Sequence, residues 1–362
     1  MSHQCEAGSK FRIYIGTYNS PASKGIYRAE FDAETGKLSA PVLAAEAVDP
    51  SFVTIHPNKK FLYAVNEAGE GAVSAFSIDP ASGDLTFLNQ QPSSGKAPCH
   101  LIVDKAGTHV LLATYFGGNA SVLPIGSDGK LGLRTGFVQH PSITGTKGQK
   151  KDPRGHSINL DAAGRFAFVC DAGIDGVFIY RYDSANGTLT PNDPPVGEVP
   201  PDSAPRHFAF HPDGKHAYAI NEADLSIDVF DYNADNGALT RTQVISTVPE
   251  GVDRTGYSTA EVVVHPSGKF VYGSNRGHDT IAAFKVNSAN GQLTSIGQQA
   301  AGTIKVPRNF NIDPTGKFAL VEGQETDNIV VFKINQETGV FEDTGASVSV
   351  GKPVCIRFMP LD

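Results

Sequence analysis

Residues 265–293 read HPSGKFVYGSNRGHDTIAAFKVNSANGQL. A turn at His265-Pro-Ser-Gly leads into an apolar run, Phe270–Gly273, which climbs to a polar tip, Ser274-Asn275-Arg276-Gly277-His278-Asp279. A second apolar run, Ile281–Phe284, descends from the tip, and Asn290-Gly-Gln-Leu announces a further strand. Short apolar runs bounded by Gly, Pro and Asn read as antiparallel β-strands. A plain hairpin needs only a pair such as Asn-Gly to turn the chain. This tip also carries an arginine and a histidine, and the rest of the chain explains them.

The same unit recurs along the sequence. Its first turn reappears at His56, Asp104, Asp161, His211 and Asp313, and its Gly-x-Leu signal at Gly36, Gly83, Gly129, Gly187 and Gly237, with Glu337-Thr-Gly-Val as the seventh. The period is roughly 50 residues, that of a four-stranded propeller blade. Six units are complete, beginning near Pro50, Pro98, Gly155, Pro205, Thr259 and Pro307. The seventh is split. Its first strand is the C-terminal stretch 353–359 and its other three lie within 11–40. Pairing the two ends closes the ring and removes a long free sheet edge. The expected fold is an all-β, seven-bladed propeller occupying residues 11–362 as one domain, with 1–10 as a flexible N-terminus. A two-domain β-sandwich would not explain the period.

In such a ring the start of each first strand and the end of each second strand emerge on one face, around the central channel. Counting five residues before each turn gives Ser51, Cys99, His156, Arg206, Ala260, Arg308 and Val354, with His100, His207 and Glu261 just after three of them. Counting eleven residues after each turn gives the tips: Glu67, Tyr115, Ala172, Glu222, Arg276 and Gln324, with Tyr18 in the split blade. Arg276 is therefore one member of a ring. A repeat demands similarity, so positions that break it with Arg, His or Glu call for another reason. His56, His211 and His265, on the opposite face, repeat the same turn chemistry and are expected to be structural.

Arginine suits bidentate binding of phosphate or carboxylate, and three arginines around one cavity favour an anion between them. Histidine exchanges a proton near neutral pH. His156, Glu222, Arg206 and Arg276 are the expected catalytic set, with Glu222 either orienting His156 or acting as the base. Arg308, Glu67, His100 and Glu261 are expected to line the mouth and bind substrate. Glu67, Asn221, Asn275 and Asp171 together would make an oxygen-rich calcium site. Asn is a common hairpin residue, however, and the arginines oppose a cation. No metal or cofactor is expected.

Composition agrees with this picture. The chain has 362 residues and a net charge of −8, without the basic footprint of nucleic-acid or membrane-surface binders. Its four cysteines, Cys5, Cys99, Cys170 and Cys355, show no metal-site spacing and read as buried or incidental thiols. Residues 1–10 lack the apolar core of a secretory signal, so a cytoplasmic setting is expected, or a periplasmic one if a signal was removed before residue 1.

The motifs Tyr14-Ile-Gly-Thr-Tyr18, Arg154-Gly-His-Ser157, Pro205-Arg-His207, Asn221-Glu222 and Ser274-Asn-Arg-Gly-His278 resemble those of the lactonase family of seven-bladed propellers. The resemblance covers nearly the whole chain. It implies a small anionic lactone as substrate and hydrolysis of a phosphorylated sugar lactone, 6-phosphogluconolactone, as the activity. In the family's lactonizing branch one His, two Arg and one Glu are proposed to form the site, and they match His156, Arg206, Arg276 and Glu222. A carboxymuconate cycloisomerase is the alternative the same residues allow. A non-catalytic scaffold is a third reading, disfavoured because the chain has no tryptophan anchor.

Overall fold

The computed structural model describes residues 8–300 and 302–361, so Cys5 and most of the segment 1–10 lie outside the described residues. Lys10 already belongs to a strand. Seven antiparallel sheets follow one another around a ring. Blades 1 to 6 have first strands Val53–Ile55, Pro98–Val103, Gly155–Leu160, Pro205–Phe210, Ser258–Val264 and Phe310–Ile312. Blade 7 places Pro353–Pro360 beside Lys10–Thr17, in a register running from Phe11↔Pro360 to Thr17↔Pro353. Its outer strand is broken into Lys37–Leu38 and Val42–Glu46, so it extends past the expected limit at residue 40.

Adjacent blades are held by apolar packing and by a repeated staple. Tyr14, Tyr63, Tyr218 and Tyr272 are fully buried on second strands. Each donates its hydroxyl proton to the carbonyl of the Gly-x-Leu turn of the next blade: Gly83, Gly129, Gly291 and Gly339, at 2.8–3.0 Å. These glycines have φ of 68–81°, the left-handed region that side chains avoid. A buried hydroxyl without such a partner would cost about 1–3 kcal/mol. The staple from Tyr14 to Gly83 joins the split blade to blade 1.

The opposite-face histidines form a second set of links. Nε2 of His56, His211 and His265 each lies 2.8 Å from a carbonyl in the next blade's turn: Gly107, Gly268 and Gly316. His211 also gathers with Asp213 and His216, but its Nδ1 accepts the Asp213 N–H and His216 Nδ1 bonds the Asp213 carboxylate. Those contacts build the turn. Among the described residues, a short hairpin of Ile143–Thr144 and Lys150–Lys151 lies outside the repeat, on the connection from blade 2 to blade 3. Lys151 anchors it by ion pairs to Asp175 and Asp202.

Candidate active site

The backbone prepares the channel mouth before any side chain does. Asp49, Ala97, Ala204, Val306 and Lys352 have φ between 41° and 58°. Each stands two residues ahead of the mouth position in blades 1, 2, 4, 6 and 7, and turns the chain inward there. For a β-branched residue such as Val306 this conformation is a true outlier. The ladder then skips a residue at Cys99, His156, Arg206 and Val354, and skips both Ala260 and Glu261. A β-bulge inserts a residue without a ladder partner and re-aims the side chains around it. Arg206 and His207, neighbours in sequence, both face the channel cavity as a result.

Glu222 bridges two arginines on one side of the mouth. Its Oε1 accepts from Arg276 Nη2 at 3.0 Å and its Oε2 lies 3.4 Å from Arg206 Nε. Arg206 is anchored through Nη1 to the Ala260 carbonyl, and Arg276 through Nη2 to that of Thr259, both at 2.7 Å. Burial raises the Glu222 pKa, but the Arg206 and Arg276 guanidiniums outweigh it and hold the carboxyl below the usual range. Burial, then the neighbouring Arg308 and Arg276 charges, push Arg206 down to about 9. Like charges crowded in a dry site favour an anion.

The other side is a neutral-to-acidic cluster. Tyr18 Oη and Ser51 Oγ both donate to Glu67 Oε2, at 2.8 and 2.5 Å, and Arg308 Nη2 donates to Tyr18 Oη at 3.1 Å. Three guanidiniums thus meet two carboxylates at one end of the channel. His156 lies between the sides, its ring against Tyr115 at 5.5 Å and its Nδ1 3.9 Å from Cys99 Sγ. Burial, then the Arg206 charge, pushes its pKa well below 6.5, so it is neutral at pH 7. Burial pushes the Cys99 thiol far up, which removes it as a nucleophile. Cys99, Cys170 and Cys355 are all buried and unpaired.

The structure thus brings His156, Arg206, Glu222 and Arg276 to one end of the channel, but Glu222 is spent on the arginines and does not orient His156. Arg308 and Glu67 stand at the mouth. Of the expected residues, Arg206, Arg308 and Glu67 wall the cavity there, and His156, Glu222, Arg276, His100 and Glu261 stand behind that wall. His100 accepts the Ile158 N–H at 3.3 Å and packs on Phe52. Glu261 accepts from His207 Nδ1 at 2.9 Å, from the Val262 N–H at 3.1 Å and from Asn309 Nδ2. The calcium set does not converge either. Asn221, Asn275 and Asp171 turn away from the channel to hydrogen-bond Asp228, Thr247 and His140. Sequence reasoning left out Tyr18, Ser51, His207 and Asn309 as site residues. The cavity at the mouth is walled by these four with Phe52, Glu67, Cys99, Arg206, Arg308 and Val354. Larger hollows between blades 7 and 1 hold no such cluster.

A closed propeller whose channel mouth joins guanidiniums, carboxylates and neutral imidazoles has the groups for acid–base chemistry and for polarising a carbonyl. Comparison with known proteins places it further. Residues 12–358 match the family described as "Lactonase, 7-bladed beta-propeller", and the chain belongs to that family. It is 36% identical to the 6-phosphogluconolactonase of Bacillus subtilis over 97% of this chain and 99% of that one. It is 32% identical to the 6-phosphogluconolactonase of Formosa agariphila over 83% and 86%. The structure of the periplasmic gluconolactonase of Pseudomonas aeruginosa superposes with a TM-score of 0.90 at 29% identity, covering 98% of this chain and 100% of that one.

Proposed function

We propose that the protein hydrolyses 6-phosphogluconolactone at the channel mouth. One observation carries the reading: Glu222 holds Arg206 and Arg276 side by side, with Arg308 across an enclosed cavity that neutral imidazoles adjoin. The arginines supply the grip for a phosphate and the positive field for the oxyanion that forms when water attacks the lactone carbonyl. An imidazole neutral at pH 7 takes the proton of that water, and two stand near the cavity, His156 and His207. Glu222 is the weaker candidate, because a carboxylate stabilised by two guanidiniums is a poor base. Once the ester opens, the ring oxygen takes up a proton and the new acid ionises. No metal is needed, so turnover is expected to survive a chelator.

The relatives' names and the unpaired buried thiols support this reading and a reducing, cytoplasmic setting. The test is to follow the purified protein by NMR on freshly made 6-phosphogluconolactone and, separately, on a carboxylated muconolactone. Hydrolysis of the first well above the spontaneous rate is expected. Turnover of the second alone would replace the hydrolase with a cycloisomerase.

A further inference from the structure

His207, which follows the mouth position Arg206, stands in the cavity wall with Glu261 hydrogen-bonded behind it. His207 is 4% exposed. Its Nδ1 is 2.9 Å from Glu261 Oε1, and Glu261 is itself fixed by the Val262 N–H and by Asn309. With Nδ1 spoken for, Nε2 is the nitrogen left for the cavity, whose wall His207 shares with Arg206 and Arg308. His156 is different. Its Nδ1 faces the Cys99 thiol, and no carboxylate among the described residues bonds it. Its ring packs edge-on against His207, with centroids 5.2 Å apart. A base within reach of the reacting water and oriented by a third group is the arrangement acyl-transfer enzymes need.

We propose that His207, oriented by Glu261, is the general base of this site, and that His156 packs against it as a positioning residue. The inference rests on the lactonase reading. His207 Nε2 removes a proton from water as the water oxygen bonds the lactone carbonyl carbon. The carbonyl electron pair moves onto the oxygen facing the arginines. Its return breaks the bond to the ring oxygen, which takes the proton back from the imidazolium. The product acid then loses its proton to solvent. Glu261 stabilises the imidazolium while it lasts.

The charges around His207 set its pH behaviour. Arg206 on its own strand, Arg308 in blade 6 and Arg357 in blade 7 oppose its protonation, as does burial, the largest effect. Glu222, just past the end of the neighbouring strand, and Glu261 in blade 5 favour protonation, with burial raising the Glu261 pKa as well, while His100 and His156 are neutral neighbours. The rate is therefore expected to stay level through neutral pH and to fall only on the acid side of 6.5.

The experiment measures kcat and KM across pH for the wild type and for His207→Gln, Glu261→Gln and His156→Phe. His207→Gln should lose about 10²–10⁴-fold in kcat with KM little changed. Glu261→Gln should lose about tenfold or more in kcat and move the acid limb to lower pH, because a negative charge beside the imidazole is gone. His156→Phe should lose less than His207→Gln. A His207→Gln enzyme within about threefold of wild type, or a larger loss at His156, overturns the assignment. Should the variants fail to fold, ¹⁵N-histidine NMR of the wild type decides. Adding 6-phosphogluconate should shift His207 Nε2, and an unmoved signal at saturation overturns the proposal. A wild type without lactonase turnover would instead remove the reading beneath it.

Discussion

Glu222 shows how one residue sets the electrostatics of the mouth. It holds Arg206 and Arg276 in place, and their charges in turn keep it ionised. Arg276→Lys keeps a charge but loses the planar fork, so KM for the phosphorylated lactone should rise while kcat changes little. A neutral lactone of the same ring size should hardly respond. Equal losses on both would mean that Arg276 shapes the pocket and does not grip the anion. Asp228 offers a second test. It is fully buried with Asn221 as its hydrogen-bond partner, and burial pushes its pKa up to about 7. The folded protein therefore holds a proton there that the unfolded chain, with an ordinary carboxyl near 4, gives up. Stability from this group falls as pH rises from about 4 to 7. Asp228→Asn should raise Tm at pH 8 relative to wild type, with the gain shrinking by pH 5; a lower Tm at pH 8 would count against it.

At the scale of the strand, the repeat made most of the architecture readable. Turn residues and Gly-x-Leu signals fixed seven units, and the same count led to Arg206, Glu222, Arg276 and Arg308. What the pattern could not show is a single extra residue. A bulge leaves the spacing of turns unchanged yet alters which side chains face inward, so Arg206 and His207 share the channel when alternation would separate them. Glu261 is skipped by the ladder together with Ala260, and it bonds His207 from behind the cavity wall. The hairpin at 143–151 was hidden for another reason: polar and short, it has no apolar period to detect. The left-handed residues before the mouth positions can be tested directly. A non-glycine residue held there costs roughly 1–2 kcal/mol, and Asn tolerates it better than Val. Val306→Asn should therefore raise the urea midpoint by an amount worth about 1 kcal/mol, and a lowered midpoint would show that Val306 packing outweighs its backbone strain.

The ring as a whole depends on its closure. Phe11 and Ile13 on one side of the seam and Ile356 on the other belong to one buried cluster with Phe318 and Leu320 of blade 6. Deleting residues 353–362 would strip the inner strand from blade 7 and open a sheet edge, so loss of cooperative unfolding and aggregation are expected by calorimetry and light scattering. The channel also ties stability to pH. His100, His156 and His207 are buried, and burial holds the pKa of each well below 6.5. The unfolded chain binds protons that these three refuse, so stability should fall as pH drops below about 6.5. The site and the fold thus share a cost: a dry, crowded channel keeps imidazoles neutral and arginines close together, and an anion relieves that crowding. The most direct measurement compares kcat/KM of the purified protein for 6-phosphogluconolactone and for unphosphorylated gluconolactone under identical conditions. A preference of about 10² or more for the phosphorylated lactone, lost at high salt, is predicted. Equal turnover of the two, or none above the spontaneous rate, would contradict an arginine-lined lactonase site.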